Sequence, residues 1–303
     1  MTLQCLVDTV VPHPLGIVRH VVPGSFDTAV AGVPVVHLPV ATEASYGFDE
    51  VWTTGRPVQV EQVGDVIVGH EGEYAFAAVH VPAADEYAVA VRDSYLELLN
   101  AVIGLGYPEV FRIWNTVGRI NEPNENGLEI YRDFCLGRAE AFDKLGTTLP
   151  AGTGVGSPVA GITVHLLSRR TRGQVAIENR RQVPAYEYPR QYGPRSPSFA
   201  RATRLPETGQ LFVSGTAGIL GHATVHRDDL LGQIRVTAEN LEVLTGDLQA
   251  LTYVKVYVRS EHDLPTVRRE CQRLFAPEAS VVYVVTDLCR AELLVEIEGV
   301  AVG

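Results

Sequence analysis

Leu211-Phe212-Val213-Ser214-Gly215-Thr216-Ala217-Gly218 opens the last third of the chain, and Val295-Glu296-Ile297-Glu298-Gly299-Val300-Ala301 closes it. The first stretch reads as a strand running into a Gly-rich turn. The second alternates apolar residues with two carboxylates, so Glu296 and Glu298 project from one face of a strand. A carboxylate in an apolar strand is costly unless it is paired or protonated. Two readings follow: a salt bridge or edge position, or a general acid whose pKa is raised by burial. Between the two stretches, helices are expected over 228–244, with Leu231, Ile234, Ala238 and Leu241 on one face, and over 264–275. Strands are expected over 210–214, 251–258, 281–286 and 292–302.

The earlier part of the chain shows the same order. A turn and strand over 64–69 and a strand over 75–81 precede a helix over 85–105. That helix has Asp85 near its start, Leu96, Leu99 and Ile103 on one face, and Gly104 and Gly106 at its end. A strand over 110–117, a polar loop over 119–127, a helix over 128–145 and strands over 161–167 and 174–178 follow. Asn100 and Asn240 fall at similar places in the two long helices. The order implies an internal duplication, two β-β-α-β-α-β-β units in an α+β layout with mixed sheets and helices on one sheet face. Residues 1–60 form a Pro-, Gly- and Val-rich N-terminal extension, with short strands over 17–22, 33–38 and 57–60 and a loop over 45–50. The units then span 61–180 and 210–303, joined by a segment over 181–209.

Composition narrows the function. The 303 residues carry a formal net charge of −11, which argues against nonspecific nucleic-acid binding. No run of about 18 apolar residues is present, so no membrane span is expected. The N-terminus has no basic stretch followed by an apolar core, and the cytoplasm is the expected compartment. Cys5, Cys135, Cys271 and Cys289 are scattered, without metal-ligand or disulfide spacing. His222 and His226 lack a nearby third ligand, so no metal is expected. No P-loop or dinucleotide fingerprint appears, and no cofactor is expected. Ser214 lies in a Ser-Gly-Thr turn rather than a nucleophile elbow. Phe111 and Trp114 read as core.

Residues 180–204 concentrate six arginines, three tyrosines and four prolines. A plain linker is one reading. The other is a substrate-contacting segment, because arginine binds carboxylates bidentately and tyrosine adds a flat face with a hydroxyl.

The second half resembles the RidA (YjgF) superfamily, in its Phe-Val-Ser-Gly-Thr turn, Asn-bearing helix, Val-Lys-Val-Tyr-Val strand and closing Val-Glu-Ile-Glu-Gly-Val-Ala. Its imine deaminases carry an arginine shortly after a proline before the fourth strand. Here Pro277-Glu278-Ala279-Ser280-Val281 has none. The whole chain is similar to the chorismatases, two RidA-like units in one polypeptide. The resemblance rests on Phe111-Arg112-Ile113-Trp114-Asn115, Tyr131-Arg132-Asp133-Phe134, Gly137-Arg138-Ala139-Glu140-Ala141-Phe142, the run from Pro189 to Phe199, and Asp287-Leu288-Cys289-Arg290 with Glu296.

The resemblance implies cleavage of the enolpyruvyl group of chorismate, a small-molecule substrate, to pyruvate and a hydroxybenzoate, chiefly the 3-isomer. Glu296 is then the general acid and Cys289 the residue of product choice, with Arg290 helping to ionise its thiol. Tyr192, Arg190, Arg195, Arg201, Arg204, Ala202 and Gly215 are the expected substrate contacts. Ala202 counts for the alternatives, a dihydrodiol acid or a mixture of 3- and 4-isomers. An imine deaminase and a noncatalytic small-ligand binder remain as other classes. RidA proteins are trimers with clefts between subunits. A fused pair fills part of that role, and a monomer is expected.

Overall fold

The computed structural model describes residues 2–21, 32–42 and 47–302. Two sheets with the same strand order form its body. In the first the order is Ala151–Ser157, Glu109–Gly118, Ile162–Arg169, Tyr74–Val81, Val66–His70, Gln59–Val63. In the second it is Ser280–Val285, Leu251–Val258, Val295–Ala301, Leu211–Ala217, Ala202–Arg204, Val175–Ile177, with Ala41–Thr42 of the N-terminal region added as a seventh strand beyond Ser280–Val285. In each, the first two strands run parallel and the remaining pairs antiparallel. The duplication read from the sequence is therefore a repeat of topology, and the layout is α+β as expected.

Helices α1 (Ala88–Gly104) and α2 (Ile130–Leu145) cover the outer face of the first sheet; α3 (Leu230–Thr245) and α4 (Leu264–Leu274) cover that of the second. The alternation of each strand decides which residues meet them. Along Val295–Ala301, Val295, Ile297 and Ala301 join the α3–α4 core, while Glu296, Glu298 and Val300 turn to the other side. There the sheets face each other across a shared core of Phe76, Phe111 and Trp114 from the first and Phe212, Tyr253 and Tyr257 from the second. Trp52 and Leu3 from the N-terminal region complete it.

That region forms a four-stranded sheet, ordered Gln4–Val7, Phe48–Thr53, Gly16–Val21, Val35–Pro39. The loop expected over 45–50 falls partly outside the described residues, and its end is the strand Phe48–Thr53. Val22, the last residue of the strand expected over 17–22, also lies outside them. Two other expectations change. Helix α1 starts at Ala88, and its first amides are capped by Asp133 of α2, not by Asp85: Tyr87 N donates to Asp133 at 2.6 Å and Ala88 N at 3.2 Å. Asn100 is exposed, whereas Asn240 is buried and donates to the carbonyls of Ala217 and Ile219, so the matching asparagines do different work. No helix among the described residues is long and apolar enough to cross a membrane.

The polar exceptions in the shared core are connected. Glu50 of the N-terminal sheet takes Lys255 Nζ at 2.9 Å from both its oxygens, His20 Nε2 at 2.6 Å and the Tyr253 hydroxyl. Lys255 Nζ also lies 3.2 Å from Glu298, which accepts from Arg112 at 2.7 Å and Trp114 Nε1 at 2.7 Å. Removing one partner from a buried ion pair strands the other charge. Glu50→Ala should lower unfolding free energy by about 3–5 kcal/mol. Arg195→Ala, which breaks the exposed pair with Asp143, should cost about 0–1 kcal/mol. Urea unfolding at pH 7 reads both, and equal losses would contradict this account of the network.

Candidate active site

The edge strand Ala151–Ser157 was not anticipated, because Gly152, Gly154 and Gly156 erase its apolar alternation. Those glycines let it lie against the second unit. A Cβ on Gly152 would fall 2.9 Å from the Phe199 side chain, and one on Gly156 would fall 2.7 Å from that of Asp287. Gly152 N donates to Ser214 Oγ at 2.8 Å, and Gly156 N to the Asp287 carbonyl at 2.7 Å. Ser214 in turn donates to the Ala200 carbonyl, so its buried hydroxyl is engaged with backbone on both sides.

Beside this junction is a cavity of about 380 Å³. Gly152, Thr153 and Gly154 form one wall, and Tyr131 and Arg138 of α2 another. Tyr188, Tyr192, Phe199 and Arg201 come from the Arg/Tyr-rich segment, and Gly215, Cys289, Arg290 and Glu296 from the second unit.

Glu296 is 4% exposed. Burial pushes its carboxyl up to about 8, reinforced by the charge of Glu298 and opposed by Arg112, Arg201 and Arg290. Glu298 behaves oppositely. Burial would raise it as well, but Lys255 and Arg112 outweigh burial and hold it below the usual carboxylate range. Thr153 ties the two positions together. Its hydroxyl donates to Glu298 and accepts from Arg112 at 2.6 Å and from Gly215 N at 2.9 Å. A Cβ at Gly215 would lie 2.0 Å from Glu296 Oε1, so a side chain there would push the carboxyl out of place.

Five arginines line the cavity; Arg132 and Arg227 pair with Glu129 and Glu292 at its rim, and the other three are Arg201, Arg290 and Arg138. Arg201 donates to the Tyr188 hydroxyl at 2.7 Å and the Val183 carbonyl at 3.0 Å, leaving its Nε without a partner. Arg290 stacks on the Tyr192 ring, 4.1 Å from its centroid, and donates to the His222 carbonyl and to Thr224. Arg138 is 3% exposed and packs near Tyr95 and Phe142, and its Nε and Nη2 have no hydrogen-bond partner. A buried guanidinium with unused donors is costly unless an anion completes it. The arrangement therefore suits a small molecule with more than one carboxylate, presented to a neutral carboxylic acid.

The family model described as chorismatase FkbO/Hyg5-like, N-terminal, matches residues 50–168. A 3-hydroxybenzoate synthase of Streptomyces hygroscopicus is 44% identical, over 94% of this chain and 91% of that protein. A chorismatase of Streptomyces rapamycinicus is 38% identical, over 94% of this chain and 92% of its own. The protein belongs to the chorismatase family. A solved crystal structure of a chorismatase, 37% identical, covers 99% of this chain and 98% of its own with a TM-score of 0.94.

Within this chorismatase the expected contacts divide. Glu296, Cys289, Tyr192, Arg201 and Gly215 line the cavity. Arg190, Arg195 and Arg204 do not. Arg190 is exposed, Arg195 pairs with Asp143 at 2.6 Å, and Arg204 lies in a strand pairing with Val175 and Leu211. Ala202 is also displaced from the site, because strand alternation sends Arg201 to the cavity and its neighbour into the α3–α4 core. The small residue at the acid is Gly215 instead. Arg290 does not ionise Cys289: burial, then the Glu296 carboxyl, push the thiol up despite it.

Arg138, Tyr131 and Thr153 were missed as site residues. Arg138 and Tyr131 sat inside motifs quoted for the family resemblance, on a helix whose facing partner was not yet known.

The raised acid has a stability consequence. Folded Glu296 keeps its proton up to about 8, while an unfolded glutamate releases it near about 4.3. Between those values the folded state binds more protons, so this group's contribution falls as pH rises. Glu296→Gln removes that dependence. Its thermal midpoint should gain on the unaltered protein as pH goes from 5 to 8, and a constant difference would show that Glu296 is not perturbed.

Proposed function

We propose that the protein removes the enolpyruvyl group of chorismate, releasing pyruvate and 3-hydroxybenzoate, with Glu296 as the proton donor. The observation that carries this reading is a buried carboxyl, protonated near neutrality, in a cavity whose lining includes Arg138, Arg201 and Arg290. Chorismate offers two carboxylates to the guanidinium groups of Arg138, Arg201 and Arg290, and an enol ether to the acid. The relatives' names, which include 3-hydroxybenzoate synthase, support the same substrate and product. A monomer is the proposed working unit, since the two fused units both contribute walls to the one cavity.

The steps balance without water. Glu296 gives its proton to the terminal methylene carbon, which becomes the methyl group of pyruvate, and the ether carbon becomes an oxocarbenium ion. The ring–oxygen bond breaks and the ether oxygen leaves as the ketone oxygen of pyruvate. The neighbouring ring hydroxyl closes onto the vacated carbon as an epoxide-like intermediate, and its proton restores Glu296. Opening of that ring with loss of a ring hydrogen gives the aromatic product.

Cys289 belongs to the last step. Burial keeps it a neutral thiol, so it has a proton to give rather than a thiolate to attack with. It protonates the ring oxygen and takes a proton back from the adjacent ring carbon.

Two outcomes test the reading. With chorismate as substrate, Glu296→Gln should lower kcat by roughly 10²–10⁴, and the kcat of the unaltered enzyme should fall as pH rises through about 8. Normal pyruvate release by folded Glu296→Gln would rule out the donor. Cys289→Ala should still release pyruvate while its ring product shifts toward the nonaromatic dihydrodiol acid. An unchanged product ratio by chromatography would remove the thiol from the mechanism.

A further inference from the structure

Glu296 stands among many charged and titratable groups, of which Arg112, Arg201 and Arg290 pull it toward ionisation. Arg112 approaches from the first sheet, Arg138 and Tyr131 from α2, Arg201, Tyr188 and Tyr192 from the Arg/Tyr-rich segment, and Arg290 and Cys289 from the turn before its own strand. Tyr257 is its partner on the neighbouring strand, and Arg227, Glu129 and Glu292 line the same cavity. Three arginines acting on one carboxyl would ordinarily take its proton off. Burial and the carboxylate of Glu298 oppose them.

Glu298 is built to stay charged. It is 2% exposed, accepts from Arg112 and Trp114 at 2.7 Å each and from Thr153, and has Lys255 Nζ at 3.2 Å. Lys255 is itself held by both oxygens of Glu50 at 2.9 Å. The four buried charges, Glu50, Glu298, Lys255 and Arg112, sum to zero. Glu296 is left outside that balance, on the same strand face two residues away.

We infer that Glu298 is a positioning residue: its clamped negative charge holds the proton on Glu296, and the N-terminal sheet takes part through Glu50 and Lys255. This rests on the reading of Glu296 as the donor. Glu298 lies outside the cavity lining. Its effect is to cancel the arginines that substrate binding requires, so that one site both binds a dianion and offers it a proton.

The test is the dependence of kcat on pH, with chorismate, for the unaltered enzyme, Glu298→Gln and Glu298→Gln/Lys255→Met. Glu298→Gln keeps the shape and removes the charge. The double variant removes one charge of each sign, so the buried network keeps zero net charge, whereas the single change leaves it one cation in excess. In both, the alkaline limb should move to lower pH by about one unit or more, with KM little changed. A limb that stays in place in a folded variant, even with reduced kcat, would make Glu298 merely structural and overturn the inference. Absence of any alkaline limb in the unaltered enzyme would overturn the donor itself, and this inference with it.

Discussion

Everything at this site depends on the unequal treatment of two carboxylates on one strand face. Glu296 and Glu298 are two residues apart and both almost fully buried. Desolvation acts on both in the same direction, so burial alone cannot separate them. Partners do. Glu298 has Arg112, Lys255, Trp114 and Thr153; Glu296 has an open cavity and a charged neighbour. Pairs of titratable groups whose surroundings push them apart are how one fold runs acid chemistry near neutrality.

The same contacts hold the architecture together. Arg112, Trp114 and Thr153 belong to the first unit, Lys255 and Glu298 to the second, and Glu50 to the N-terminal sheet. A buried ion pair is a poor source of net stability, because desolvation offsets its Coulomb gain. Its value here lies in register. If the two sheets slid along each other, Glu298 would lose its partners and Gly215 would no longer face the Glu296 carboxyl. The glycine-rich strand Ala151–Ser157 permits the close approach that this register needs.

Much of the fold was legible because alternation and helical periodicity are local signals. The two helices and most of the strands of each unit were read in their order, and Glu296 and Glu298 announced themselves as charges at apolar positions. The edge strand was not legible, since its glycines serve a neighbour from the other unit and leave no pattern of their own. The Arg/Tyr-rich segment was legible only as a whole. Its composition suggested contact with substrate, but whether a given arginine turns inward depends on backbone direction. Arg201 and Ala202 are adjacent and lie on opposite faces of the sheet. Arg138 was hidden for another reason: its unpaired donors become evident only once the cavity it faces is known. Glu50, in a stretch read as a loop, gave no sign of its partners Lys255 and Tyr253 far along the chain.

The central claim is that Glu296 carries a proton at neutral pH while Glu298 does not. Infrared difference spectroscopy at pH 7, comparing the unaltered enzyme with Glu296→Gln and with glutamate labelled by carbon-13 at its carboxyl, reads this directly. The account predicts a labelled carboxylic-acid C=O stretch that vanishes in the variant, with no matching loss of carboxylate signal. Loss of an ionised carboxylate band instead, with no carboxylic-acid band in the unaltered enzyme, would contradict it.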